Sequence, residues 1–124
     1  MRGSDTVIVV DDDPQVLRSL SFLLEIEGFN VLAFGSGAEL LSQSEFPLHG
    51  CFVIDYSMPR MNGLELIGKL RDRAISLPVI LITGQLNDGI DDEANKMGAT
   101  QVVRKPHLND DLINGIAQAL CRSE

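Results

Sequence analysis

Basic residues are scarce in this chain. Ten Lys and Arg stand against 18 Asp and Glu, a formal net charge of −8. That balance argues against contact with a nucleic-acid backbone, because phosphates demand clustered cations. No basic amphipathic stretch is present to lie on an anionic membrane, and no apolar run approaches the roughly 20 residues of a membrane span. Cysteine is nearly missing as well. Cys51 and Cys121 are the two. With no CxxC spacing and no histidine at ligand spacing, they argue against a disulfide or metal role and read as packing residues of a reduced protein. The opening Met1-Arg2-Gly3-Ser4 is too short and too polar for a signal peptide. It reads as a cloning remnant, and the cytoplasm is the expected compartment. Linkers, repeats and low-complexity segments are absent.

The 124 residues are 44% hydrophobic and 23% charged, which suits one globular domain with a sizeable core. Strand-length apolar runs alternate with helical patterns. Val7–Val10, Cys51–Ile54 and Val79–Ile82 are continuous and rich in β-branched residues, as strands buried on both faces of a parallel sheet are. Asn30–Phe34 and Gln101–Val103 are more mixed, which suits edge strands. Val16, Leu20, Leu23, Leu24 and Glu27 repeat at helical spacing between Pro14 and Gly28. A weaker helix is expected over about Ser36 to Ser44. Leu64, Ile67, Leu70 and Arg71 mark a third, opened by Gly63. Asn87–Met97 is the poorest helix, ended by Gly98. Leu112, Ile113, Ile116 and Leu120 mark the last, with Asn109 as its N-cap. Five strand–helix pairs in alternation predict a right-handed, doubly wound α/β sheet with helices on both faces.

Polar residues stand where the apolar runs stop, at the strand ends outside which open α/β sheets bind their ligands. Asp11 and Asp12 follow the first run. Adjacent carboxylates repel unless a hard divalent cation sits between them and a third oxygen donor, which Asp55 at the end of the third strand supplies. Asp13, just before Pro14, is expected to cap the helix instead. A carboxylate held at a loop mouth beside Mg²⁺ is placed to attack a phosphoryl group, which makes Asp55 the candidate nucleophile. Pro59 stiffens the following loop and Gly63 lets it turn. Thr83 offers a hydroxyl to a phosphoryl oxygen, and Lys105, before Pro106, offers a point charge. Three carboxylates, one Mg²⁺ and one ammonium sum to zero. Taken singly, Asp55 is a structural strand-end acid, Thr83 a β-branched filler and Lys105 an exposed amine; their coincidence needs an explanation. Asp88, Asp91, Asp92 and Glu93 form a second acidic cluster, which reads as a solvated face, and Phe46-Pro47-Leu48-His49-Gly50 is a loop without visible chemistry.

Val9-Val10-Asp11-Asp12-Asp13-Pro14, Asp55-x-x-Met58-Pro59-x-Met61-x-Gly63, Thr83-Gly84 and Lys105-Pro106 together resemble the receiver domain of two-component response regulators, in order and spacing over nearly the whole chain. The Thr83-Gly84 pairing resembles FixJ-like receivers. The resemblance implies a flavodoxin/CheY-like (βα)5 fold with strand order 2-1-3-4-5, spanning residues 5–122. It implies a phosphoacceptor rather than an enzyme, with slow self-dephosphorylation as its only turnover. Asp55 would take the phosphoryl group from a histidine kinase or phosphotransfer protein. Asp11, Asp12, Asp55 and the backbone carbonyl of Ser57 would hold Mg²⁺. Thr83 would be the switch hydroxyl and Lys105 the pairing cation. A phosphorylation-dependent homodimer is the family expectation, controlling an output domain or partner, with no direct nucleic-acid or membrane contact by this chain.

Three features depart from the family pattern. Val102 stands where receivers often carry an aromatic that turns inward on activation, so the switch is expected to rest on Thr83 and its loop. His107 replaces the usual Phe after Lys-Pro and reads as a partly exposed loop residue. No output domain is legible after residue 122, so the chain is expected either to act alone or to be an excised receiver. The face formed by Asp91–Glu93, Lys96 and Arg104 is either solvated or paired across a dimer. Two rivals remain. A haloacid-dehalogenase-type phosphatase would need DxDG[TV] after the first strand, whereas Asp13 is followed by Pro14-Gln15. A degenerate docking module predicts a broken acid set, whereas Asp12, Asp55, Thr83 and Lys105 are all present.

Overall fold

The computed structural model describes residues 5–84, 88–104 and 108–122. The strands β1 (Thr6–Val10), β2 (Asn30–Phe34), β3 (Gly50–Asp55), β4 (Val79–Thr83) and β5 (Gln101–Arg104) alternate with the helices α1 (Pro14–Ile26), α2 (Gly37–Leu41), α3 (Gly63–Asp72), α4 (Asp88–Met97) and α5 (Leu108–Arg122). All ladders are parallel and the strand order is β2-β1-β3-β4-β5. The two mixed runs occupy the edges, and the three apolar runs fill the centre, as their composition requires.

Strand alternation divides the core in two. Val7, Val9, Cys51, Val53, Ile80, Ile82 and Val103 face α1 and α5, meeting Leu20, Leu24, Leu112, Ile116 and Leu120. Ile8, Val10, Phe52, Ile54, Val79 and Leu81 face α2, α3 and α4, meeting Leu40, Leu66, Ile67, Leu70, Ile90 and Ala94. Cys51 is wholly buried in the first cluster, and burial pushes its thiol pKa up to about 12. Its packing role is the expected one; the side chain of Cys121 lies outside the described residues.

Helix ends follow local chemistry. The Asp13 carboxylate accepts from Gln15 N at 2.9 Å and Val16 N at 3.4 Å, capping α1 before Pro14. At the other end Gly28, at φ 100°, takes the left-handed residue of a Schellman turn in which Phe29 N donates to Leu24 O. Asn62 and Glu65 form a reciprocal capping box on α3, both bonds at 2.9 Å. The pattern over Ser36–Ser44 predicts a longer helix than α2, which Ser36 caps and which ends at Ser42. Glu27 is an exposed C-cap rather than part of the apolar face of α1. Asn109 lies within the first turn of α5, because the helix begins at Leu108 rather than after an Asn109 cap.

Arg71, which shares the spacing of the apolar residues of α3, does something else. Its guanidinium donates to Ile75 O at 2.7 Å, Leu77 O at 2.9 Å and Gly98 O at 2.7 Å. Three carbonyls from the α3–β4 connection and the end of α4 are thereby tied to one half-buried cation, whose pKa burial lowers from the ordinary arginine value. Among the described residues, no helix is long and apolar enough to cross a membrane.

Candidate functional site

Among the described residues, the buried polar side chains are Asp5, Asp11, Asp55 and Thr83. Asp5 lies before β1, at the amino edge of the sheet. The other three stand at the carboxyl edge, where parallel register brings them level. Val10 pairs with Ile54, Asp55 with Ile82, and Thr83 with Arg104. Burying polar groups at one point of an otherwise apolar sheet is costly unless they are satisfied together.

Asp11 is held from two sides. Its backbone N donates to Phe34 O at 3.2 Å, and its Oδ1 accepts from Asp13 N at 2.9 Å. The same short turn aims Asp11 into the site and Asp13 at the helix, so two of the three consecutive acids have distinct jobs. Asp12 is exposed between them. One carboxylate oxygen from each of Asp11, Asp12 and Asp55 lies within 4.8 Å of the others. An all-oxygen, trianionic cluster with one ligand open to water fits a hard divalent cation such as Mg²⁺, which keeps part of its hydration shell.

The loop after Asp55 is fixed by its backbone. Tyr56 N donates to Ile82 O at 2.8 Å, while Tyr56 O accepts from Gly63 N at 3.0 Å and from Met58 N at 3.2 Å. Tyr56 is half-buried against the α3/α4 face of the core, and Met58 is buried there. Ser57 is exposed at the loop mouth. The loop closes through Arg60, at φ 69°, a left-handed conformation costing an ordinary residue about 1–2 kcal/mol. Gly63 does not serve as the flexible turn that its sequence context suggests; the left-handed residue is Arg60. A Cβ at Gly63 would lie 2.6 Å from Leu81 Cδ1, 2.8 Å from Asp55 O and 3.0 Å from Tyr56 Cα. Glycine is needed there so that α3 can start against the backbone at the end of β3.

Thr83 is 1% exposed at the end of β4, one strand from Asp55. Lys105, Pro106, His107 and Gln85 lie outside the described residues. Val102 is half-buried against the α3/α4 face of the core. Arg104, unremarked as a site neighbour in sequence, is register-paired with Thr83 and precedes Lys105. Its Nη2 meets Asp91 Oδ1 on α4 at 3.0 Å. This pair lies within one chain and is partly exposed, and Asp92, Glu93 and Lys96 beside it are exposed, so the face is solvated in the single chain.

Residues 7–117 match the model of the response regulator receiver domain. The chain belongs to that family. This receiver is similar to the transcriptional regulatory protein TdiR of Thauera aromatica, at 34% identity over 95% of the chain and 52% of that protein. It is also similar to FixJ of Rhizobium meliloti, at 37% identity over 92% of the chain and 56% of FixJ. The solved structure of FixJ-N superimposes with a TM-score of 0.86 at 36% identity, covering 93% of this chain and 92% of that one. The receiver therefore spans about half the length of the curated relatives it matches, and its FixJ-like character is supported. Phosphorylation by a histidine kinase is the general function of the family.

Proposed function

We propose that residues 5–122 form a phosphoacceptor receiver of a cytoplasmic two-component system, with Asp55 as the acceptor. The observation that carries the reading is the convergence of Asp11, Asp12 and Asp55 at the carboxyl edge, with Thr83 one strand away. Asp55 Oδ attacks the phosphorus of a kinase or phosphotransfer phosphohistidine, the P–N bond breaks, and the imidazole leaves with the bond electrons. An acyl phosphate on Asp55 results. Asp11, Asp12, Asp55 and the Ser57 carbonyl would hold Mg²⁺, which when bound would supply charge neutralisation to the transferred group. Without it, a group bringing roughly −1.5 to −2 charge would face two further carboxylates.

Thr83 donates its hydroxyl to a phosphoryl oxygen, and Lys105 pairs with the same group. Drawing Thr83 toward the phosphate pulls on the segment leading into α4, and the α4–β5 face relays the state to an output domain or partner, through a phosphorylation-dependent homodimer. Couplings of this type run about 1–3 kcal/mol. The acyl phosphate is then lost by slow hydrolysis, with Ser57, exposed at the loop mouth, tuning access of the water.

The test is exposure to acetyl phosphate with and without Mg²⁺, read by intact mass. A Mg²⁺-dependent phosphoryl adduct on the wild type, lost in Asp55→Asn, is expected. Wild type without an adduct overturns the reading.

A further inference from the structure

Beyond the burial of Ile90 and Ala94 in the core, the two ends of α4 are tied by different means. At its carboxyl end, Gly98, at φ 102°, closes a Schellman turn in which Ala99 N donates to Ala94 O at 2.8 Å, and Gly98 O accepts from the Arg71 guanidinium. Met97 packs so closely on α3 that a Cβ at Gly68 would lie 2.5 Å from its Cε. Hydrogen bonds from a half-buried cation are among the stronger ones in proteins, so this end is a fixed point. Near the other end, Asp91 meets Arg104 across a partly exposed contact, the side chains 44% and 27% accessible. Ion pairs of that exposure are weak.

Arg104 is no arbitrary partner. Thr83 and Arg104 are register-paired and follow Leu81 and Val102 by two residues, so both side chains face α4. Only residues 84–87 separate Thr83 from the first residue of α4. Asp91–Arg104 therefore ties α4 to the strand beside Thr83, while the far end of the helix is pinned. We propose that this ion pair is a latch holding α4 in its resting position beside Thr83. Opening it lowers the cost of activation, while Arg71 and Gly98 serve as the pivot. The latch rests on the phosphoacceptor reading for its use, but its mechanical part stands apart from it.

The experiment compares wild type, Arg104→Gln, Asp91→Asn and the reversed pair Asp91→Arg with Arg104→Asp. Two readouts are taken: the rate of phosphorylation by acetyl phosphate with Mg²⁺, and amide hydrogen exchange across α4 in the unphosphorylated chain. Each single variant is expected to phosphorylate about two- to fivefold faster, the range an exposed ion pair supports, with α4 exchange raised by a similar factor. The reversed pair returns both to wild type. Slower or unchanged phosphorylation in the single variants overturns the latch, as does failure of the reversed pair to restore. A wild type that takes no adduct removes the phosphoacceptor reading instead. In that case the exchange of α4 alone decides the latch, which falls if the single variants leave it unchanged.

Discussion

At Gly63 one hydrogen atom stands where any other residue would place a carbon against Asp55 O, Tyr56 Cα and Leu81 Cδ1. Two of those three contacts are backbone atoms, of the last residue of β3 and of the residue after it, so neither yields cheaply. Gly63→Ala is expected to cost about 1–3 kcal/mol in urea unfolding, the range of core overpacking, and to slow phosphorylation by acetyl phosphate because the displaced atoms adjoin Asp55. Cys51 gives a second prediction at this scale. Its buried thiol has a pKa pushed up to about 12, against 9.0 when unperturbed. The folded state keeps the proton longer than the unfolded chain, so this contribution is fully present below pH 9. Stability then falls by about 1.4 kcal/mol per pH unit between 9 and 12. Comparing the pH dependence of unfolding of the wild type with that of Cys51→Ala isolates the slope, which should be absent from the variant. The three acids were legible because each ends or follows an apolar run. The reason for Gly63 was not, because its crowding comes from Leu81, 18 residues away in the chain.

Among the elements, α1 and the three central strands could be read from sequence because composition and burial agree in them. The helix α2 came out shorter than its pattern, since Leu40 is its one large side chain in the core and the serines at either end satisfy the backbone instead. The Arg71 clamp is not legible in sequence, and the sequence groups Asp91 with Arg104 on one face without pairing them within the chain. Arg71 looks like part of an apolar stripe because its targets are carbonyls, which no residue identity announces. Arg104 and Asp91 lie on separate elements, and only the register of β5 brings them together. Removing the Arg71 clamp with Arg71→Ala is expected to destabilise the fold by about 2 kcal/mol and to raise hydrogen exchange over residues 74–78 and 94–99. Arg71→Lys should recover less than half of the loss, because one ammonium cannot reach three carbonyls in the fork geometry of a guanidinium.

At the scale of the whole molecule, the alternation of strands and helices predicted the doubly wound architecture, and the family resemblance supplied the order 2-1-3-4-5. What neither shows is how uneven the result is. One edge of the sheet gathers the convergent carboxylates, and α4 is clamped by Arg71 at one end and joined to β5 by a partly exposed ion pair near the other. The placement of Tyr56 has an optical consequence. The chain contains no tryptophan, and Tyr56 is its single tyrosine, so its tyrosine-band emission comes from one ring, next in sequence to Asp55. Loading Asp55 with beryllofluoride and Mg²⁺ is expected to change that emission in a saturable way, with no change in Asp55→Asn and no signal from Tyr56→Phe. The protein thus carries an intrinsic fluorophore beside Asp55 and needs no attached label to be followed in real time.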